Sequence, residues 1–444
     1  MNAGANSWST HFISLLYLVF IGVLFSWTDR ANSVVLLSLF GGSFIAYITL
    51  LYQRNISFNY LAGVGLIASF TAFFFVPNLS PDSYRFLWDG AISWMGQNPL
   101  ESTPEFLMSQ PHYSNNAYLQ ELYTGLSGLS KRNFTCYPSV NQMYFVVANT
   151  FSDSVAVNLF VLRLLIFGTQ LVGIRYLVKL LAHFNISRKK ALILVLNPLW
   201  MLETVGNLHF EGVMLSFLII GFYFLVKEKW LFAAIFIAFA IHVKLIPIVL
   251  LPFMLRYLGW YRSTILYSLV GIFCVLLAGI YFGPSNYVNF KASLTLYFES
   301  FEFNSLIYHH YIHYGEQIYG YLPTHIYGTQ LSRLGMFLIF CIAFYGGRSD
   351  FQTMMTRMIF GLLIYYLFAT TVHPWYVITI LGLSIFTRFS FGIIWSGLIF
   401  ITYAAYGDLD KDVLRLLIHI EYGILLAAAL YEIIGKRPLL RLAE

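Results

Sequence analysis

The sequence predicts an all-α polytopic membrane protein. Of its 444 residues 59% are hydrophobic and 10% are charged, against roughly 25% charged in ordinary soluble domains. The mean hydropathy is +0.70. The apolar residues fall in successive long runs, the pattern of helices that cross a bilayer and satisfy their own backbone hydrogen bonds.

Fourteen such runs lie near residues 11–27, 32–52, 59–77, 154–182, 191–205, 211–226, 230–245, 246–258, 263–283, 331–346, 354–371, 374–387, 390–406 and 413–434. Several are shorter than the ~20 residues a crossing needs. Some are therefore expected to be re-entrant or tilted pairs, in a bundle of about 11–14 transmembrane helices. The N-terminus, MNAGANSWST, has no basic stretch and no small-residue cleavage signal follows the first run, so a cleaved signal peptide is not expected. Cys136, Cys274 and Cys341 are odd in number, and the last two lie inside apolar runs, which offers neither a disulfide framework nor a zinc pattern.

Alternating the runs from a cytoplasmic N-terminus places Arg54, Arg188-Lys189-Lys190, Lys227, Lys229, Arg256, Arg262, Arg348, Arg388 and Lys436-Arg437 on one face. That is the positive-inside pattern. The net charge of +6 is thereby used as a topology signal and needs no nucleic acid to explain it. The same alternation puts the polar clusters on the other, outer face: Asp82 to Asp89, Glu203 to Glu211, His242 to Lys244, residues 284–330, and His373 to Tyr376. The chain reads as one membrane domain over 1–444, with two long outer loops at 78–152 and 284–330.

The first loop opens with NLSPDSYRFLWDGAISWMGQNP, from Asn78 to Pro99. Ser80 suits a helix cap, Pro81 the first helical position, and Asp82 the first turn, where the helix dipole favours a carboxylate. Asp82, Arg85 and Asp89 then share one helix face. An acid beside an arginine can act as a general base while the arginine holds an anion, and an ion-paired surface helix is the plainer reading. The loop ends in CYPSVNQMYFVVANTF, whose second half has the pattern of an interfacial amphipathic helix. The second loop is dense in tyrosine, at 287, 297, 308, 311, 314, 319, 321 and 327, as in an interfacial aromatic belt, with some rings available to stack on sugars.

Lys244 sits in AIHVKLIPIVLLP, apolar on both sides, where a lysine is costly unless it pairs with an anion or snorkels to the interface. Pro247 and Pro252 predict a broken helix lining a cavity. ETVGNLHFEG sets Glu203, Asn207, His209 and Glu211 between two apolar runs, with Gly206 and Gly212 allowing a tight turn. His309 and His313, one helical turn apart, have metal-ligand spacing but no carboxylate or cysteine at an obvious partner position. No metal and no cofactor is expected.

Six motifs together resemble the bacterial mannosyltransferase-like GT-C glycosyltransferases: NLSPDSYRFLWDG with GQNP, YPSVNQ at Tyr137 to Gln142, NPLWMLETVGNLHFEG at Asn197 to Gly212, HVKLIP at His242 to Pro247, FEFNSLIY at Phe301 to Tyr308, and HPWY at His373 to Tyr376. The resemblance runs in order from about residue 60 to residue 380. It departs at Pro81, where the family pattern has another acid, and at Ser139, where it has a second proline. The first departure counts against a metal held by paired acids in that loop.

The resemblance implies a GT-C-like bundle in the bacterial cytoplasmic membrane, with interfacial helices in its outer loops and an extracytoplasmic site. It implies transfer of a sugar, mannose first, with inversion, from a polyprenyl-phosphate-linked donor to a glycan or lipid-linked acceptor. Asp82 matches the family's catalytic aspartate, with Asp89 as the alternative. Arg85, Lys244, His242 and His373 are the candidates for the donor phosphate, and Tyr84, Glu203, Asn207, His209, Glu211 and Tyr376 for sugar or acceptor. The partners expected are that donor, that acceptor and membrane lipids. A transporter or flippase would also use broken helices and a buried lysine, but here the polar residues gather at one face and no repeated halves are visible. A non-catalytic membrane subunit leaves the Asp82 loop unexplained.

Overall fold

The computed structural model describes residues 3–53, 55–296, 301–407 and 409–440, which leaves Arg54 and Tyr297 outside the described residues. The chain is 76% helical, and among the described residues the only extended pairing recorded is one isolated bridge between Phe303 and Thr371. Among the described residues seven helices are long and apolar enough to cross a bilayer: Trp8–Ser26, Ser33–Leu51, Val155–His183, Trp260–Ala278, Thr324–Phe344, Phe351–Phe368 and Lys411–Gly435. Five shorter apolar helices, Phe58–Phe74, Trp230–Val243, Ile246–Leu258, Pro374–Ser384 and Phe391–Tyr406, occupy most of the runs that were too short for a straight crossing.

The two runs around ETVGNLHFEG form a broken pair, Pro198–Gly206 and Glu211–Val226, bent by 108°. Local chemistry accounts for the break. Asn197 caps the first piece by accepting from Leu199 N at 2.9 Å, with Pro198 in the first turn. The turns at Met201–Gly206 are widened π turns, and Leu208 adopts a left-handed φ of 64°. A bend of this size strands backbone carbonyls in an apolar setting. Arg163, from the Val155–His183 helix, donates to Val205 O at 2.8 Å, Gly206 O at 3.1 Å and Phe75 O at 2.8 Å, and so satisfies them.

A second break sits at Lys244. The Trp230–Val243 helix ends there, Lys244 is extended (φ −155°, ψ 141°), and Ile246–Leu258 begins with Pro247 in its first turn. Asn141 donates to the Val243 carbonyl at 2.9 Å, occupying one of the acceptors the broken helix leaves open. Pro252, expected to break the chain as well, lies inside the second helix.

In the loop over 78–152 the first helix begins one residue later than expected, at Asp82, and Ser80 Oγ accepts from Asp82 N at 3.3 Å. The Ser139–Asn149 helix packs one face across the Asp82–Trp94 helix and leaves Val147 42% exposed on the other. Phe86 stacks on Phe145 with centroids 4.9 Å apart, and Val140, Phe145 and Ala148 are buried. The contact is close because residue 90 is glycine: a Cβ there would come within 2.2 Å of Phe145 O.

In the second half, Phe303 N donates to Thr370 O at 3.1 Å and Val372 N to Phe303 O at 2.9 Å, which ties the FEFNS segment to the stretch before His373. The C-terminal helix Lys411–Gly435 holds the other side of that segment through Tyr422, whose hydroxyl donates to Asn304 O at 2.8 Å.

Candidate active site

The two breaks, the Asp82 helix and the HPWY turn converge on one cavity of about 370 Å³, within the roughly 300–1,000 Å³ of small-molecule sites. Its polar end carries Asp82, His209, Glu211, Lys244 and His373. Its other end is apolar, lined by Ile246, Ile248, Val249, Met336, Tyr365 and Phe368. Ile248 and Met336 are 47% and 37% exposed, so the cavity reaches the flank of the bundle between the Ile246–Leu258 and Thr324–Phe344 helices.

Asp82 reaches this cavity from the first turn of its helix. Burial, the largest influence, pushes its carboxyl up to about 6; the Lys244 ammonium opposes the shift and Glu211 adds to it. A base of that strength is half ionised near pH 6 and suited to taking a proton from a hydroxyl near neutral pH. His209 Nδ1 stands 4.0 Å from Asp82 Oδ2, and its Nε2 stands 3.5 Å from Glu203 Oε2. Glu203 is fully buried and held from two sides, accepting from the Tyr403 hydroxyl at 2.7 Å and Asn207 Nδ2 at 3.2 Å. Asn207 in turn accepts from Leu79 N at 3.4 Å, which joins the broken pair to the chain just before Asp82.

Lys244 is the one lysine or arginine among the described residues that line the cavity. Its ammonium donates to Glu211 and lies 4.1 Å over the centre of the Tyr376 ring. One N–H of three serves Glu211, which leaves donors for a ligand anion. The sequence cluster that looked like one unit is thus divided. Arg85 and Asp89 pair with each other at 2.8 Å, both buried, and neither lines the cavity. Arg85 also donates to Ser130 O at 2.7 Å and Asn133 O at 3.0 Å, and Asp89 accepts from Gln142 at 3.2 Å. They pin the loop's short helices to the Asp82 helix.

Other expected site residues sit as follows. His373 and Tyr376 line the cavity, whereas Tyr84 and His242 do not; Tyr84 packs under Gly125. Burial pushes His373 down to about 3, with Lys244 adding to the shift, so it is a neutral ring near pH 7. His309 pairs with Glu302 at 2.6 Å and His313 with Glu316 at 3.0 Å. Among the described residues no group of three histidine, cysteine or carboxylate side chains is arranged to hold a metal. Among the described residues, the tyrosines of the second loop do not line the cavity. Tyr308 and Tyr327 are buried and Tyr287, Tyr314, Tyr319 and Tyr321 are exposed.

The sequence reading missed a column of rings along the cavity wall. His209 lies on Trp375 with centroids 3.6 Å apart, Trp375 on His373 at 4.4 Å, and His373 on Phe303 at 4.7 Å. Phe303 leans on Tyr406 at 5.7 Å, and Arg30 covers that ring at 4.7 Å. Tyr403 and Asn141, which touch Glu203 and the Lys244 break, were missed as well. An aromatic in an apolar run and an asparagine inside a helix carry no signal of their own. The Trp375 signal was present, inside HPWY.

Residues 44–259 match the model of the MptA_B family, described as alpha-(1->6)-mannopyranosyltransferase, N-terminal domain. The matched stretch contains Asp82, Glu203, His209, Glu211 and Lys244, and the rest of the ring column comes from outside it. No curated protein and no solved structure gave a significant match. Over that stretch, just under half of the chain, the protein is similar to the N-terminal domain of a mannosyltransferase family, and the stretch supplies most of the charged groups of the polar cavity.

Proposed function

We propose that the protein transfers mannose, with inversion, from a polyprenyl-phosphate-linked donor to a glycan or lipid-linked acceptor on the outer face of a bacterial cytoplasmic membrane. The observation that carries this reading is the shape of the cavity. A carboxylate and a lysine stand at its polar end, and its apolar end opens on the flank of the bundle. A sugar attached through phosphate to a long apolar chain matches both ends. A water-soluble nucleotide sugar has no use for the apolar end.

In the proposed reaction Asp82 takes the proton of an acceptor hydroxyl as its oxygen attacks the anomeric carbon. The bond from that carbon to the phosphate oxygen breaks on the opposite side, and the electron pair leaves with the lipid phosphate. Lys244 faces the oxygen where negative charge builds, and a positioned cation there lowers the barrier without any metal or cofactor. His209, stacked on Trp375, crowds the back of Asp82, and Glu203 stands behind His209. That arrangement positions the base toward the acceptor. Neutral His373 offers a hydrogen bond to a sugar hydroxyl rather than charge to the phosphate.

Washed membranes containing the protein, given acceptor and either polyprenyl-phospho-[¹⁴C]mannose or a nucleotide-linked [¹⁴C]mannose, test the donor class. Label should reach the acceptor from the lipid-linked donor alone. Direct transfer from the nucleotide sugar by purified protein would overturn the reading.

A further inference from the structure

A second cavity, of about 520 Å³, lies beyond the FEFNS segment from the first. Phe303 lines it and also stacks on His373 of the central cavity, so the segment is the wall between the two. The second cavity is built from the outer end of the C-terminal helix, with Lys411, Arg415 and His419, and from the Ile307–Tyr319 helix, with His309 and His310. The match to the mannosyltransferase family ends before any of these residues.

Its charges are arranged with cations toward the cavity. Glu302, the one carboxylate among the lining residues, is occupied: His309 Nδ1 lies 2.6 Å from it and Ser305 Oγ donates to it at 3.1 Å. Among the described residues, Asp410 and Asp412 at the helix start do not line the cavity. Asp410 caps the helix by accepting from Asp412 N at 2.8 Å, and Asp412 is 89% exposed, with its carboxylate 3.8 Å from the Arg415 guanidinium. His419 Nδ1 lies 2.6 Å from Arg415 O, and a carbonyl can only accept, so Nδ1 carries the proton and Nε2 is left as an acceptor. His310 Nε2 meets it at 2.9 Å and must be the donor. Two imidazoles thus share one proton beside a lysine and an arginine, a set that an anion would stabilise on taking up a second proton.

The surroundings indicate where the anion comes from. Lys411–Gly435 is a membrane-spanning candidate, and its outer half exposes Val413, Leu416 and Ile420 at 44%, 60% and 43%. A lipid lying along that flank would bring its headgroup to the level of Lys411 and Arg415, as basic side chains at a helix end do for anionic lipids. We propose that this cavity, built by His310, Lys411, Arg415 and His419, binds the phosphate of a bilayer lipid as a site separate from the central cavity. The inference does not depend on what the central cavity transfers.

The test is binding of phosphatidate by the purified full-length protein in nanodiscs of phosphatidylcholine, followed by native mass spectrometry. Retained phosphatidate is expected, with affinity about 10- to 30-fold weaker in the double variant Lys411→Ala/Arg415→Ala. His419→Gln, which removes only the shared proton site, should weaken it several-fold. Asp82→Asn should leave it unchanged. A melting temperature equal to wild type confirms that each variant is folded. Inorganic phosphate should compete only at much higher concentration than phosphatidate. Equal retention in wild type and the double variant, equal loss in Asp82→Asn, or tighter binding of inorganic phosphate than of phosphatidate would each overturn the proposal.

Discussion

If Asp82 is the general base, Asp82→Asn removes the proton acceptor while keeping the size and shape of the side chain. The loss expected for a positioned base is about 10²- to 10⁴-fold in kcat, or about 2.7–5.5 kcal/mol of barrier. The pH profile supplies the second, sharper number. With the carboxyl raised to about 6, about one-tenth of the enzyme holds the active carboxylate at pH 5 and about nine-tenths at pH 7. Because the ionised form is the base, activity should rise about tenfold between those values and level off above them. The assay is the initial rate of [¹⁴C]mannose transfer by purified protein from pH 4.5 to 8.5, with donor saturating. Asp82→Asn should give a low rate that is flat over the same range. The reasoning fails if Asp82→Asn keeps a substantial fraction of wild-type activity, or if the wild-type profile is flat between pH 5 and 7.

Lys244→Ala should raise the donor KM and lower kcat together, because a contact with the phosphate strengthens as charge builds on the leaving oxygen; a change in KM alone would remove Lys244 from the chemical step. Asp89→Asn strands a buried arginine, so it should lower stability by about 3–5 kcal/mol, read as a fall in melting temperature, while protein that remains folded keeps most of its turnover. A fall in turnover of 10²-fold or more with unchanged melting would return Asp89 to the catalytic step. EDTA treatment should leave the rate unchanged, and restoration of lost activity by one divalent ion would show a metal that these side chains do not suggest. Gln97→Cys, exposed in the first outer loop, should react with an impermeant thiol reagent added to intact cells, whereas Arg188→Cys should not; the opposite result would reverse the topology.

The membrane class and the positions of both chain breaks were legible because each has a local cause. Composition sets the first, and Lys244 followed by Pro247, or Asn197-Pro198 followed by glycines, set the others. The Asp82 cluster shows where local reading stops. Helical spacing put Asp82, Arg85 and Asp89 on one face, which is correct, but it could not say that the Ser127–Asn133 stretch and Gln142 fold over Arg85 and Asp89 and leave Asp82 alone at the cavity. The ring column was unreadable for the same reason. His209, Phe303, Trp375 and Tyr406 are up to about 200 residues apart, and only the packing of the bent pair against the His373–Tyr376 turn, with Phe303 and then Tyr406 beyond it, brings them into line. The helix at Ser139–Asn149 has an amphipathic pattern that fits a membrane interface and a neighbouring helix equally well. Gly90 lets it approach the Asp82 helix closely, which the amphipathic pattern alone does not say.

The central claim is that the Asp82–Lys244 cavity breaks a sugar–phosphate bond, and it is tested most directly in liposomes holding purified protein and polyprenyl-phosphate mannose. The quantity to measure is polyprenyl phosphate released with and without acceptor. Release that requires acceptor, equals the mannose transferred, and disappears in Asp82→Asn is the expected result. Movement of intact donor across the bilayer with no release, in wild type and Asp82→Asn alike, would contradict it and mark the protein as a carrier of lipid-linked sugar.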